Sequence, residues 1–180
     1  MGREQLKHTN FLCYFSSVNE LQIHTLLEQA AQFRDDDKPL HAIQLLQQVI
    51  AAHPTCERAF MLLAQIYYDA NRMDAAEKVL LQGLQANPRS AEFYMQLGSF
   101  HLRQFNYERA LEYFLSIRHL HYPLVHMSLG LTYAGLEKLV EAERELKLAA
   151  QVDPKLPRVF EVWGEVLLRL NRTHEAINVL

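Results

Sequence analysis

Breakers of regular structure are scarce in this 180-residue chain, which contains only six Gly and six Pro. That scarcity leaves room for many helices and for few tight β-turns. Cysteine is scarcer still: Cys13 and Cys56 are too few for a disulfide framework, and neither belongs to a CxxC metal motif. They read as two reduced, half-buried thiols of a cytoplasmic protein. Basic charge is not in excess either, because 18 Lys and Arg stand against 21 Asp and Glu, a net charge of −3. Nothing there draws a phosphate backbone, so nucleic acid is not the default partner. No stretch approaches the roughly 18 uninterrupted apolar residues of a membrane helix. The nearest candidate for a leader, Phe11-Leu12-Cys13-Tyr14-Phe15 behind Arg3 and Lys7, ends at Ser16 with no small-residue cleavage pattern after it.

What the chain does have is a period. Ala42, Ala76, Ala110, Ala142 and Ala176 are spaced by 34, 34, 32 and 34 residues. A second series of small residues, Ala30, Ala64, Gly98, Gly130 and Gly164, runs with the same four spacings. Pro54, Pro88 and Pro154 close successive units. Two independent series in step are hard to obtain by chance, and they point to a repeat.

Each unit divides into two helical stripes. Phe60, Leu63, Ala64 and Tyr67 stand at i, i+3, i+4 and i+7, and Ala76, Leu80 and Gly83 follow after the polar stretch Asn71-Arg72-Met73-Asp74. The later units repeat the pattern with Tyr94, Leu97 and Gly98, then Ala110, Phe114 and Ile117; with Leu129, Gly130 and Tyr133, then Ala142, Leu146 and Ala149; and with Phe160, Trp163, Gly164 and Leu167. A Gly inside a helix costs up to about 1 kcal/mol of propensity, which only close packing of two backbones recovers. The prolines suit the turns, and Pro157 suits the first turn of a following helix, where a missing N–H does no harm.

A helix–turn–helix of this length carrying Phe60, Leu63, Ala64, Tyr67, Ala76, Leu80 and Pro88 resembles the tetratricopeptide repeat. The resemblance extends from about Ile23 to Leu180 and implies an all-α, right-handed alpha-alpha solenoid. The units would be residues 23–56, 57–90, 91–122, 123–156 and an incomplete 157–180, with residues 1–22 outside them as a capping helix over Phe11 to Leu21 or a tail. Three departures stand out. Gln29 replaces a core Leu, His101 takes the place of a stacking Tyr, and the third unit is two residues short around His119-Leu120-His121-Tyr122-Pro123. The fifth unit stops at Leu180 with about ten residues of its second helix missing. The expectation is a piece of a longer protein, or an end closed against a partner.

The family is a general protein-binding scaffold whose first helices line a concave face. Reading their non-core positions selects Leu27, Met61, Met95 and Met127, with Gln65, Tyr68, Ser99 and Leu131 one turn further along. The three methionines form an adaptable apolar strip for an amphipathic helix or extended peptide, or else pack as core between helices. The family's clamp for acidic chaperone tails needs Lys and Asn where this chain has Leu27, Ala31, Leu62, Glu92 and Gln96, so that partner is set aside.

Catalytic signals are absent: no nucleophile elbow, phosphate loop, HExxH or dinucleotide fingerprint occurs. His119, His121 and His126 cluster at the short turn, without a Cys or carboxylate at ligand spacing, and read as surface histidines beside a helix C-terminus. No metal and no cofactor is expected. The resulting expectation is a cytoplasmic, non-catalytic adaptor for a peptide or helix of another protein. The alternatives are a substrate-docking part of a larger enzyme or secretion and assembly machine, and a module that self-associates through its C-terminal end. A membrane-associated complex and the bacterial periplasm are the other compartments compatible with the composition.

Overall fold

The computed structural model describes residues 20–156 and 158–180. Ten α-helices follow one another there: α1 (Glu20–Asp35), α2 (Pro39–Ala52), α3 (Glu57–Asp69), α4 (Met73–Ala86), α5 (Ala91–Arg103), α6 (Tyr107–Ile117), α7 (Pro123–Gly135), α8 (Leu139–Val152), α9 (Val159–Arg169) and α10 (Thr173–Val179). No strand occurs among the described residues. None of these helices is long and apolar enough to cross a membrane. Helix α1 is described from Glu20 onward. Cys13, Pro157 and most of the segment Phe11 to Leu21 lie outside the described residues, whereas Cys56 is a half-buried free thiol.

Two compact units divide the chain, Met1–Arg89 and Ser90–Leu180. In the first, α1 pairs with α2 and α3 with α4, and α3 also packs on α2 and α1. Ala30, Ala42, Leu46, Ala64, Ala76 and Leu80 are all buried there. Arg58 of α3 reaches Glu28 of α1 at 2.7 Å, a solvated pair of small worth. In the second unit the pairs are α5 with α6, α7 with α8 and α9 with α10, and consecutive pairs also touch. One core cluster joins Ala110, Phe114 and Ile117 of α6 to Val125 and Leu129 of α7. Another joins Ala142, Leu146 and Ala149 of α8 to Val159, Val162 and Val166 of α9. Each large apolar side chain of these clusters contributes about 1.5–3 kcal/mol when it leaves water.

The small residues sit directly against a large side chain of the paired helix. A methyl group placed on Gly98 would meet the Phe114 ring at 2.5 Å, and one on Gly130 would meet Leu146 at 2.6 Å. On Gly164 it would meet Leu180 at 2.9 Å. In every case the partner lies sixteen residues downstream, as Leu46 does from Ala30 and Leu80 from Ala64.

The turn inside each hairpin is a left-handed C-cap. Asp37, Asn71, Phe105, Glu137 and Asn171 have φ between 56° and 60°. The residue after each donates its N–H five residues back, for example Arg72 to the Tyr67 carbonyl at 2.8 Å and Asn106 to that of His101 at 2.9 Å. Such bonds satisfy carbonyls that a helix end otherwise leaves open. No glycine serves this purpose among the described residues.

The short turn between the third and fourth hairpins is closed differently. A 3₁₀ turn, Arg118–Leu120, continues from α6, and His121 adopts φ 53°. Arg118 donates through Nε to Glu145 Oε1 at 2.9 Å, while His126 Nδ1 stands 2.7 Å from Glu145 Oε2. Glu145 and His126 are 3% and 0% exposed, so His126 is not the surface histidine expected from the sequence. It falls on the inward face of α7 in its first turn, where burial requires a polar partner. His119 and His121 are exposed, and no group of three potential metal ligands converges among the described residues.

Two stability tests follow from this packing. Gly98→Ala gains about 1 kcal/mol of helix propensity but overpacks the buried Phe114 ring, at a cost of about 1–3 kcal/mol. The melting temperature therefore falls, and adding Phe114→Leu, which copies the Ala64 and Leu80 pairing, restores part of it. A rise in the single variant would remove the close crossing from the explanation. Glu145→Ala leaves Nδ1 of buried His126 without its carboxylate partner and lowers unfolding free energy by about 3 kcal/mol, measured by denaturant titration.

Candidate partner-binding face

The first helix of each hairpin packs through its small residue and that residue's large neighbours, which leaves the other side of the helix less buried. In the first unit this side holds Met61 and Tyr68, both half-buried, and exposed Gln65, whose Nε2 donates to Asp69 at 2.6 Å. Leu27 does not belong with them. It is 5% exposed, part of the core, and offers a partner almost no surface. Gln29 is exposed, in keeping with a wetter face at this position.

In the second unit the same register places Met95 and Ser99 on α5 and Met127 and Leu131 on α7, all half-buried. Met95 packs against the Phe114 and Leu129 cluster, and Met127 and Leu131 pack against the Leu146 and Val162 cluster. The methionines are thus shared between core and surface rather than assigned wholly to either. Glu161, the corresponding residue of α9, is exposed. His101, in the stacking place, is 1% exposed and lies flat on the Tyr113 ring at 5.5 Å, so an imidazole fills the slot of a phenol.

Where the first helices of this unit end, they enclose a cleft of about 270 Å³. Leu102 of α5, Leu131 of α7, and Val162 and Val166 of α9 form its walls. Tyr107 covers Gly135 so closely that any side chain on Gly135 would overlap the ring. Phe105 borders the opening, 74% exposed, with its ring edge-on to Tyr107 at 6.2 Å. Of the face residues expected from the sequence, only Leu131 lines this cleft. Phe105, Val162 and Val166 stand outside the two fixed offsets that mark the expected face, and so escape a reading by repeat position. The signal was nonetheless present: at the position where the other units carry Asp37, Asn71, Glu137 and Asn171, the third carries an aromatic.

Charge at the cleft is sparse. Arg169 donates through Nη2 to the Ala134 carbonyl at 2.9 Å and to Glu137 Oε2 at 2.8 Å. Glu165 is exposed and forms no ion pair with a described residue. Behind this face, burial and the Glu145 carboxylate push the half-buried Tyr133 phenol upward, and Arg118 partly offsets them. On α8, burial works against the charged form of Glu143, but hydrogen bonds from Lys147 and Arg172 outweigh it and hold the carboxyl below 4.5. Both contacts are 2.6 Å long. None of these groups forms a nucleophile–base pair or a ligand set.

A family model of the tetratricopeptide repeat matches residues 33–99, and a second one matches residues 91–116. Over residues 33–116 the chain is therefore built of tetratricopeptide repeats. Its fold is the right-handed alpha-alpha solenoid of that family. It is similar to the structure of MamA 41-end from Desulfovibrio magneticus RS-1, with 16% identity and a TM-score of 0.75 over 87% of this chain and 90% of that one. It is also similar to PilF of Pseudomonas aeruginosa, at 17% identity and a TM-score of 0.74 over 87% and 74% of the two chains. A thermophilic TPR protein of Thermus thermophilus shares 21% identity, with a TM-score of 0.65 over 87% of each chain. No curated protein sequence matches the chain. The family is one of protein–protein interaction scaffolds, and that is the general function of this chain.

The electrostatics on α8 carry one prediction. A carboxyl whose folded pKa lies below 4.5 adds stability above that pH and loses it as the pH falls through the folded value. Glu143→Gln should lower stability by about 1 kcal/mol near neutrality, a modest value because Lys147 and Arg172 stay solvated. The melting curves of variant and wild type then converge below pH 4.5. A gap independent of pH would exclude Glu143 as its source.

Proposed function

We propose that the chain is a non-catalytic, cytoplasmic adaptor that holds a peptide or helix of another protein along the concave face implied by its family. Residues 23–56, 57–90, 91–122, 123–156 and 157–180 would act as its five repeat units. The observation that carries this reading is the surface left by the first helices of the second unit. There, Met95, Met127 and Leu131 are only half-buried, and Leu131 also lines a largely apolar cleft. Met61 and Tyr68 hold the equivalent stations of the first unit. Methionine suits such a surface because its unbranched, polarizable side chain adapts to apolar partners of varied shape. The aliphatic walls of the cleft, formed by Leu102, Leu131, Val162 and Val166, favour contact over chemistry.

The double variant Met61→Glu with Met95→Glu tests this reading. Affinity capture from the native host should yield a protein with wild type that the variant fails to retain, while far-UV circular dichroism stays unchanged. Full retention by a folded variant would refute the proposed face. Collapse of helicity would show instead that these methionines are core.

A further inference from the structure

The cleft at the ends of α5, α7 and α9 has features that general adaptor function does not require. Phe105 adopts φ 60°, a left-handed conformation that crowds a bulky side chain against its own backbone. The four equivalent positions hold Asp37, Asn71, Glu137 and Asn171, polar residues whose side chains are well solvated at a turn, and two of them are Asn, which tolerates this conformation. Burial does not repay the aromatic, since 74% of it faces solvent. Backbone strain at an exposed aromatic, beside a cleft, is the pattern of a contact residue awaiting a partner.

The cleft itself has a size and a charge. Its volume, about 270 Å³, is below that of sites that enclose whole small ligands, and suits one large side chain. Its walls are aliphatic and its base is the Tyr107 ring over Gly135. At the rim, Arg169 is one turn from Glu165 on α9, yet its guanidinium is drawn to Ala134 and Glu137. Arg169 and Glu137 neutralise each other, so the rim is left with the negative charge of Glu165.

We infer that this cleft anchors a large apolar side chain, aromatic by preference, from a partner segment that places a Lys or Arg one helical turn away. Phe105 closes over the anchor by edge or face contact, and Glu165 pairs with the basic neighbour. This inference rests on the adaptor reading above and specifies the chemistry of the segment held. Aromatic pairs add to area burial, and truncating such an anchor at a desolvated site costs heavily.

Three labelled, alanine-rich helical probe peptides test it by fluorescence anisotropy against the full chain: one with Phe and a Lys one turn on, one with Ala in place of Phe, and one with Glu in place of Lys. The Phe–Lys probe should bind about tenfold or more tightly than either other probe. Phe105→Asn should lose about the same factor while its melting temperature holds or rises, because Asn71 and Asn171 already occupy that station. Glu165→Lys should reverse the preference between Lys and Glu probes. Equal binding of all three probes, or undiminished affinity in folded Phe105→Asn, overturns the inference. So does a self-associated chain that Phe105→Asn renders monomeric in sedimentation, since the occupant would then be a second copy. A partner lost from the methionine double variant but retained by Phe105→Asn and Glu165→Lys overturns this inference and leaves the adaptor reading standing.

Discussion

The structure depends on how near two helix backbones come at one point of each hairpin. At Gly98, Gly130 and Gly164 there is no room for even a methyl group, because Phe114, Leu146 and Leu180 already fill the space. Ala30 and Ala64 fill the equivalent places beside Leu46 and Leu80, whereas Gly fills the other three at a cost in helix propensity. Close approach fixes how the first helix turns about its axis, and therefore which of its residues face inward. Phe93, Leu97 and Phe100 enter the core of α5, while Met95 and Ser99 remain partly outside it. The surface available for binding is thus what close packing leaves over.

Turns carry the second half of the design. Five left-handed caps hold the two helices of every hairpin in one orientation, with the same five-residue backbone hydrogen bond each time. Because that bond comes from main chain alone, the side chain at the cap is free to vary. In four units the variation is between polar residues, and in one it delivers Phe105 to the rim of a cleft. Between hairpins the arrangement is less uniform. Loss of two residues after α6 is absorbed by a 3₁₀ turn, and Arg118 from that turn joins His126 in gripping buried Glu145. A buried carboxylate with two partners specifies one geometry for the shortened connection, since leaving any member alone in the core is costly.

Function follows from these constraints only in part. A tetratricopeptide scaffold provides a series of first-helix faces, and similarity of fold at 16–21% identity to MamA, PilF and a Thermus protein fixes the architecture without fixing a partner. What distinguishes this chain is where local rules are broken. An aromatic in a left-handed turn and an acid whose neighbouring arginine is engaged elsewhere occur at the same cleft. In the proposed reading both serve recognition, where departures from local rules are expected.

The sequence by itself determined the repeat, the helical class and the small residues at the crossings. Periodicity, propensity and the need for close approach are local or regularly spaced, and so remain visible along a single chain. The left-handed caps also leave a trace, in the series Asp37, Asn71, Phe105, Glu137 and Asn171, although no glycine marks them. Other features depended on neighbours distant in sequence. Leu27 looked like a face residue at its offset, yet it is core. His126 looked like a surface histidine until the helix phase turned it inward, where Glu145, nineteen residues on, completes its hydrogen bonding. The cleft beneath Phe105 likewise exists only because three helix ends meet there. Pattern reveals which side of a helix is apolar, but the atoms that come to lie against it are decided by packing in three dimensions.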